Sequence, residues 1–472
     1  MTTMTNHFQF PSDFVWGAST SAYQIEGAPL EDGAGPSIWQ RFSQTPGMIH
    51  NGESGDIACD HYHRYRDDVQ LMKKLGLKAY RFSISWSRVL PQGTGKVNEA
   101  GLAFYSNLVD ELLANGIEPM VTLFHWDLPA ALDDRGGWLN PEIADWFAQY
   151  ATIMFTKLDG RVKSWATLNE PWVVSDGGYL HGKLAPGHRS GYEAAIAAHH
   201  MLRAHGAAVT AYRAVGQHKI GIVVNLEPKY PATDKPADVD AARRAHAYMN
   251  CQYLDPVFFG RYPTRMKDVF GLAWPEWPQQ DFDLIQQPVD FIGINYYTRS
   301  VTQHDDAAWP VKASAVRQTQ ATYTETNWEV YSQAFTDVLL WVKERYGNPV
   351  VYITENGAAF YDPPKAEKGA VHDPLRTDYL HKHISAVRVA MEAGANIQGY
   401  CVWSLLDNLE WSLGFAKRFG IIHVNFTTLE RTFKDSANYY AGVIASNGEI
   451  LREVDYQADP NLSQTMILDA DQ

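Results

Sequence analysis

Eight short runs of β-forming, mostly apolar residues recur along the chain, at 14–19, 79–83, 118–124, 165–168, 219–225, 290–297, 350–354 and 398–404. Helix-like stretches stand between and after them, at 60–75, 101–115, 141–158, 192–215, 237–258, 332–346, 377–393 and 435–447. In the first of these, Val69, Leu71, Met72 and Leu75 fall on one side and Gly76 supplies a stop. Strands that are apolar throughout are strands covered on both faces. Their alternation with helices predicts an α/β chain forming one (β/α)8 TIM barrel, with long loops at the C-terminal face of the strands. The competing arrangement is a doubly wound sheet plus a second domain, but no Gly-x-Gly-x-x-Gly follows any of the runs. The barrel is expected to span residues 1–455, followed by an acidic tail at 456–472. Residues 305–326 lack periodicity and read as a loop over the barrel mouth.

Two of the runs stop at a carboxylate. Val350-Val351-Tyr352-Ile353-Thr354 leads into Glu355, and Asn356-Gly357 breaks the strand. Trp165-Ala166-Thr167-Leu168-Asn169 leads into Glu170, and Pro171 ends that run. Glutamate is seldom fully buried without a partner, so packing explains neither position well. In a parallel barrel every strand opens on the same face, where active sites form, so the two glutamates are expected to share a pocket. Gln24, Arg81, His125, Trp126, Asn169, Asn295, Tyr297 and Trp403 are expected at the same level. Glu410 and Trp411 follow the eighth run. Each taken singly has an ordinary structural explanation; their convergence on one face argues for a site.

Composition narrows the function classes. A net charge of −14 argues against nucleic acid or an anionic membrane as partner. No run of about 18 apolar residues predicts a membrane span. The polar first ten residues and three widely spaced cysteines (Cys59, Cys251, Cys401) suggest a cytoplasmic protein without disulfides. His61-x-His63 opens a helix with no further ligand set, so neither a metal nor a cofactor is expected. Asp67-Asp68 and Arg243-Arg244 read as solvated helix faces. The 15 Trp and 25 Tyr suit either a large core or the flat walls of a sugar site. Paired carboxylates, aromatic walls and side chains that both donate and accept hydrogen bonds match glycoside hydrolysis.

The motifs Phe10-Pro11-x-x-Phe14-x-Trp16-Gly17, Ala22-Tyr23-Gln24-Ile25-Glu26-Gly27, Thr167-Leu168-Asn169-Glu170-Pro171, Ile353-Thr354-Glu355-Asn356-Gly357 and Lys434-Asp435-Ser436 resemble those of glycoside hydrolase family 1, the β-glucosidase family, over nearly the whole chain. The resemblance implies a retaining double displacement without a cofactor. Glu355 would be the nucleophile, and Glu170 the general acid and then the general base. Arg81 and Tyr297 would support the nucleophile, with Asn295 beside it. Asn169 would meet the sugar 2-hydroxyl. Gln24, His125, Trp126 and Glu410 would hold the other hydroxyls, with Trp403 as an apolar floor and Trp411 next to Glu410. Trp328 would line the leaving-group side. Family members that cleave 6-phospho-glycosides usually lack a Glu-Trp pair like Glu410-Trp411, so an unphosphorylated small-molecule β-glucoside or cello-oligosaccharide is the implied substrate, as in cellulose degradation. Galactose and fucose are commonly tolerated in the family. A sugar-binding protein that has lost catalysis would lack one carboxylate; both are present here. Homo-oligomerisation is compatible with the sequence but not readable from it.

Overall fold

The computed structural model describes residues 9–158, 160–451 and 465–469. Most of the expected acidic tail, at 456–464 and 470–472, lies outside the described residues. Eight parallel strands close into a barrel: β1 (Val15–Ser19), β2 (Ala79–Ser83), β3 (Glu118–Phe124), β4 (Ser164–Asn169), β5 (Lys219–Asn225), β6 (Phe291–Asn295), β7 (Val351–Asn356) and β8 (Ile397–Trp403). Each strand pairs with the next in sequence, and β8 pairs with β1. The main covering helices are α1 (His61–Leu75), α2 (Glu99–Ala114), α3 (Ile143–Leu158), α4 (Gly191–Val215), α5 (Pro236–His246), α6 (Gln333–Arg345), α7 (Pro374–Glu392) and α8 (Asp435–Ala445). Gly76 ends α1 with a left-handed φ of 77°, the conformation glycine adopts without a Cβ clash. Ser190 caps α4 by accepting from the Glu193 N–H at 3.3 Å.

Side chains alternate along a strand, and that period fixes which residues point inward. Ala79, Met120, Phe291, Tyr352 and Cys401 pack together as a small buried cluster contributed by five barrel strands. Two residues further along, on the same face, come Arg81 on β2 and Trp403 on β8; Asn295 follows on β6. The floor of the barrel is therefore apolar and the next layers toward the C-terminal face carry the polar groups. Register keeps them level: Ser19 pairs with both Trp403 and Arg81, and Asn295 pairs with both Asn225 and Glu355.

Several local expectations change. The helix expected at 237–258 breaks: α5 stops at His246, a π-type turn follows at Ala247–Cys251, and a further helix runs Leu254–Phe259. Wide turns of this kind cluster at functional sites, and Tyr248 and Met249 in it face the central cavity. The stretch at 305–326 is not all loop: Ala313–Ala315 pairs antiparallel with Ser300–His304, which pairs parallel with Lys229–Pro231. Asp68 and Arg244 are not solvated. Asp68 is fully buried between His61 Nδ1 (2.8 Å) and Arg431, and Arg244 is nearly buried, donating to the Val311 and Lys312 carbonyls. Arg431 and the 311–312 carbonyls come from far along the chain, so neighbouring residues gave little sign of the burial.

Candidate active site

The strands that bear the two glutamates are irregular where they reach the site. The pairing of β7 shifts register on both sides between Ile353 and the residues that follow, and β4 shifts against β5 between Ala166 and Asn169. Such bulges re-aim side chains at the rim of a barrel. Glu355 accordingly lies within β7, one residue before its end, rather than after it. Glu170 has a φ of +47°, and Trp126 and Trp411 have φ of 78° and 49°. Left-handed backbone is strained for such side chains and persists where the surroundings hold it. Three residues of one site share it.

A cavity of about 520 Å³ opens at the C-terminal face of the strands. His125, Trp126, Glu170, Asn295, Tyr297, Trp328, Glu355, Trp403, Glu410 and Trp411 all line it. Arg81 and Asn169 stand directly behind. Arg81 donates to Glu355 Oε1 at 2.5 Å and to Asn169 Oδ1 at 2.7 Å. Asn295 Nδ2 donates to Asn169 Oδ1 at 3.0 Å and to Glu170 Oε1 at 2.8 Å, while Thr354 Oγ1 donates to Asn295 Oδ1 at 2.6 Å. Tyr297 donates its phenolic proton to Glu355 Oε2 at 2.5 Å. One hydrogen-bonded chain thus runs from Glu170 through Asn295, Asn169 and Arg81 to Glu355.

Two donors fix the Asn169 amide with its oxygen toward Arg81 and Asn295. Its nitrogen therefore donates to His125 Nε2, at 3.1 Å. His125 is buried beside the Arg81 cation, and both effects hold it well below the usual imidazole range, hence neutral. Its Nδ1 has no hydrogen-bond partner among the described residues. Gln24 is fully buried and absent from the cavity lining. Its amide accepts from Ser21 at 2.6 Å and donates to Asn408 Oδ1 at 3.0 Å and the Leu409 carbonyl at 2.8 Å. It tethers the segment that carries Glu410.

Buried charges anchor the same segment. Asp407 accepts from Arg418 and Lys434, each at 2.7 Å, and Lys434 also reaches Asp362 at 2.6 Å. Arg376 joins the cluster through Asp362 and Asp373. Gly357 explains the close approach of β7 to β8: a Cβ there would stand 1.6 Å from the Trp403 carbonyl oxygen.

The two carboxyls differ in surroundings. Burial raises Glu170 well above the usual carboxylate range, and the charge of Glu355 raises it further; the Asn295 hydrogen bond and Arg81 only partly oppose this. Burial also raises Glu355, but Arg81 and the Tyr297 and Asn295 hydrogen bonds pull it back. The proton shared by the pair therefore resides on Glu170. Tyr297 remains a neutral phenol, since burial and Glu355 push its proton loss far upward.

Glu410 is pushed up to about 8 by burial and by the charge of Glu355, and its Oε2 has no hydrogen-bond partner among the described residues. Its folded value lies above its unfolded one, so its contribution to stability is present at low pH and is lost as pH rises from the ordinary carboxylate range through about 8. Glu410→Gln, neutral at every pH, is expected to raise the unfolding midpoint by about 2 °C more at about pH 9 than at about pH 5. Calorimetric scans of both proteins at the two pH values check this; an equal difference at both would refute it.

Sequence reasoning missed the outer part of the cavity. Asn225, Glu227, Lys229, Tyr248, Met249, Ser300 and Thr302 line it. Asn225 was within reach, as a polar residue closing the fifth run. Lys229 and Glu227 gave no signal of this kind.

Comparison with known proteins agrees with this architecture. The family model for glycosyl hydrolase family 1 matches residues 6–449. The chain is 49% identical over 442 residues to "Beta-glucosidase A" of Thermotoga maritima, covering 93% of this chain and 98% of that one. It is 47% identical to a "1,4-beta-D-glucan glucohydrolase" of Thermotoga neapolitana, covering 93% and 99%. The solved structure of the family 1 β-glucosidase from Thermotoga maritima superposes with a TM-score of 0.91 at 48% identity, over 94% of this chain and 99% of that one; the same enzyme has been solved in complex with deoxynojirimycin. A family match across nearly the whole length, on a closed parallel barrel, means that the chain belongs to glycosyl hydrolase family 1.

Proposed function

We propose that this enzyme is a retaining β-glucosidase, hydrolysing terminal non-reducing β-D-glucosyl residues of oligosaccharides and aryl glucosides through a covalent glycosyl-enzyme. The observation that carries the reading is the unequal pair. Glu355 holds Arg81 and Tyr297 and stays available as a carboxylate, whereas Glu170, buried and facing that charge, keeps its proton. A protonated acid and an ionised nucleophile are what the first displacement requires. Asn295 donates to Glu170 Oε1 at 2.8 Å and is the strand partner of Glu355, which favours the close spacing of about 5–5.5 Å used by retaining enzymes over the wider gap that admits a water.

In the first step Glu355 attacks the anomeric carbon while Glu170 protonates the departing oxygen. Glycosylation removes the Glu355 charge, the affinity of Glu170 for a proton falls, and Glu170 takes the proton of an incoming water. Asn169 meets the sugar 2-hydroxyl. His125, Trp126 and Glu410 hold the remaining hydroxyls above Trp403, Gln24 completes this set, and Trp328 lines the leaving-group side. The catalytic unit spans 1–455, with 456–472 appended. The names of the relatives support a glucoside or β-1,4-glucan substrate; a place in the cytoplasmic breakdown of cellulose fragments is part of the same proposal.

Proton NMR of the products as they form tests the mechanism. Retention predicts that β-D-glucose appears first and mutarotates afterwards. The α-anomer appearing first would overturn it.

A further inference from the structure

Residues 465–469 lie beyond residue 449, where the family match ends, yet they pack against the wall of the cavity. Backbone carbonyls alternate sides along a strand. In the short strand Lys229–Pro231, the preceding carbonyl of Pro228 accepts from Ser300 N–H at 2.9 Å, toward the neighbouring strand. The Lys229 carbonyl faces the opposite edge, and there it accepts from Ile467 N–H at 2.9 Å. Met466 is buried, and the Leu468 carbonyl accepts from Trp341 Nε1 at 3.0 Å. Trp341 in turn meets His246, with ring centroids 4.8 Å apart, at the point where α5 gives way to the turn bearing Tyr248 and Met249.

The strand clamped in this way is part of the site. The Lys229 side chain is buried, paired with Glu227 and 3.4 Å from Met249 Sδ, and all three residues line the cavity. Asn250 fixes the Glu227 backbone from both sides, at 2.9 Å each. Ser300, Thr302 and Ala313–Ala315 continue the same wall. An unsecured sheet edge of three residues is weakly held, so a backbone hydrogen bond on its outer side steadies its register.

We propose that residues 465–469 are a positioning element for the leaving-group half of the cavity, setting affinity for leaving groups long enough to reach Lys229 and Glu227. Such groups are the second and third glucose units of a cello-oligosaccharide. The inference rests on the β-glucosidase reading, in which the transferred sugar occupies the space between Glu170, Glu355 and Glu410.

The test compares cellotriose with β-D-glucosyl fluoride, whose single-atom leaving group cannot reach this wall. Ile467→Pro removes the donor N–H; Ile467→Ala keeps it. Loss of one such bond is expected to raise KM for cellotriose about fivefold in Ile467→Pro, with kcat on both substrates and KM for the fluoride within about twofold of the parent. Ile467→Ala should follow the parent, and deletion of residues 465–472 should follow Ile467→Pro, which guards against a folding defect peculiar to proline. Unchanged KM for cellotriose, or a parallel rise for both substrates, would overturn the proposal while leaving the hydrolase reading intact. A parent chain that turns over neither substrate would overturn that reading, and this inference with it.

Discussion

Glu355→Gln is expected to lower turnover of p-nitrophenyl β-D-glucoside by on the order of 10⁴- to 10⁶-fold. The amide is nearly isosteric, keeps one oxygen to accept from Arg81 while its NH2 faces the Tyr297 hydroxyl, and cannot form the acylal bond to the anomeric carbon. The size of the effect follows from the position: among the described residues, Glu355 is the one carboxylate in the cavity with both a cation at 2.5 Å and a phenol at 2.5 Å. The same substitution leaves Arg81 buried without its countercharge, and breaking such a pair costs about 3–5 kcal/mol of stability. Activity must therefore be read on protein shown to be folded, by near-ultraviolet circular dichroism at the assay temperature. A second consequence separates chemistry from packing. With the Glu355 charge gone, Glu170 loses one of the three influences that raise its proton affinity, so its titration should move downward in the variant. A folded variant that retained appreciable turnover would remove Glu355 from the nucleophile role.

Much of the barrel was legible because its signal is local. Each strand is a short apolar run, and each helix has its own period and, as at Gly76, its own stop. The convergence of Glu170 and Glu355 on one cavity followed from topology alone, since parallel strands open on one face. What sequence could not show depends on contacts between distant segments. Glu355 appeared to follow its strand, because a bulge is a property of pairing and not of one strand's composition. The left-handed backbone at Trp126, Glu170 and Trp411 leaves no mark on residues whose intrinsic preference is elsewhere. Gln24 was legible as a candidate sugar ligand, but not the bonds that fix its amide to Asn408 and Leu409 from the far end of the chain. Lys229 sits in a strand of three residues, too short for a period-two pattern, and is buried because Glu227 and Met249 surround it.

Glu170→Gln is expected to act on the two chemical steps unequally. Proton donation contributes about 10²- to 10⁴-fold when the departing oxygen is basic and little when it is a stabilised phenolate. Formation of the glycosyl-enzyme from 2,4-dinitrophenyl β-D-glucoside should therefore stay near the parent rate, whereas cellobiose, with an alkoxide leaving group, should lose most of its turnover. The second step needs a base whatever the substrate was, so the intermediate should accumulate: a burst of dinitrophenolate, then slow release, visible in stopped-flow traces and as a glycosylated mass. The pH profile gives an independent reading. In the parent, activity should fall on the acid side as Glu355 becomes protonated and on the alkaline side as Glu170 loses the proton that burial and Glu355 help it hold. An amide at position 170 has no proton to lose in that range, so the alkaline limb of kcat/KM for phenyl β-D-glucoside, whose basic leaving group needs the proton, should flatten while the acid limb remains. Equal losses on both substrates, or an unchanged alkaline limb, would assign the acid role to another group, and Glu410, pushed up to about 8 in the same cavity, would be the next to replace.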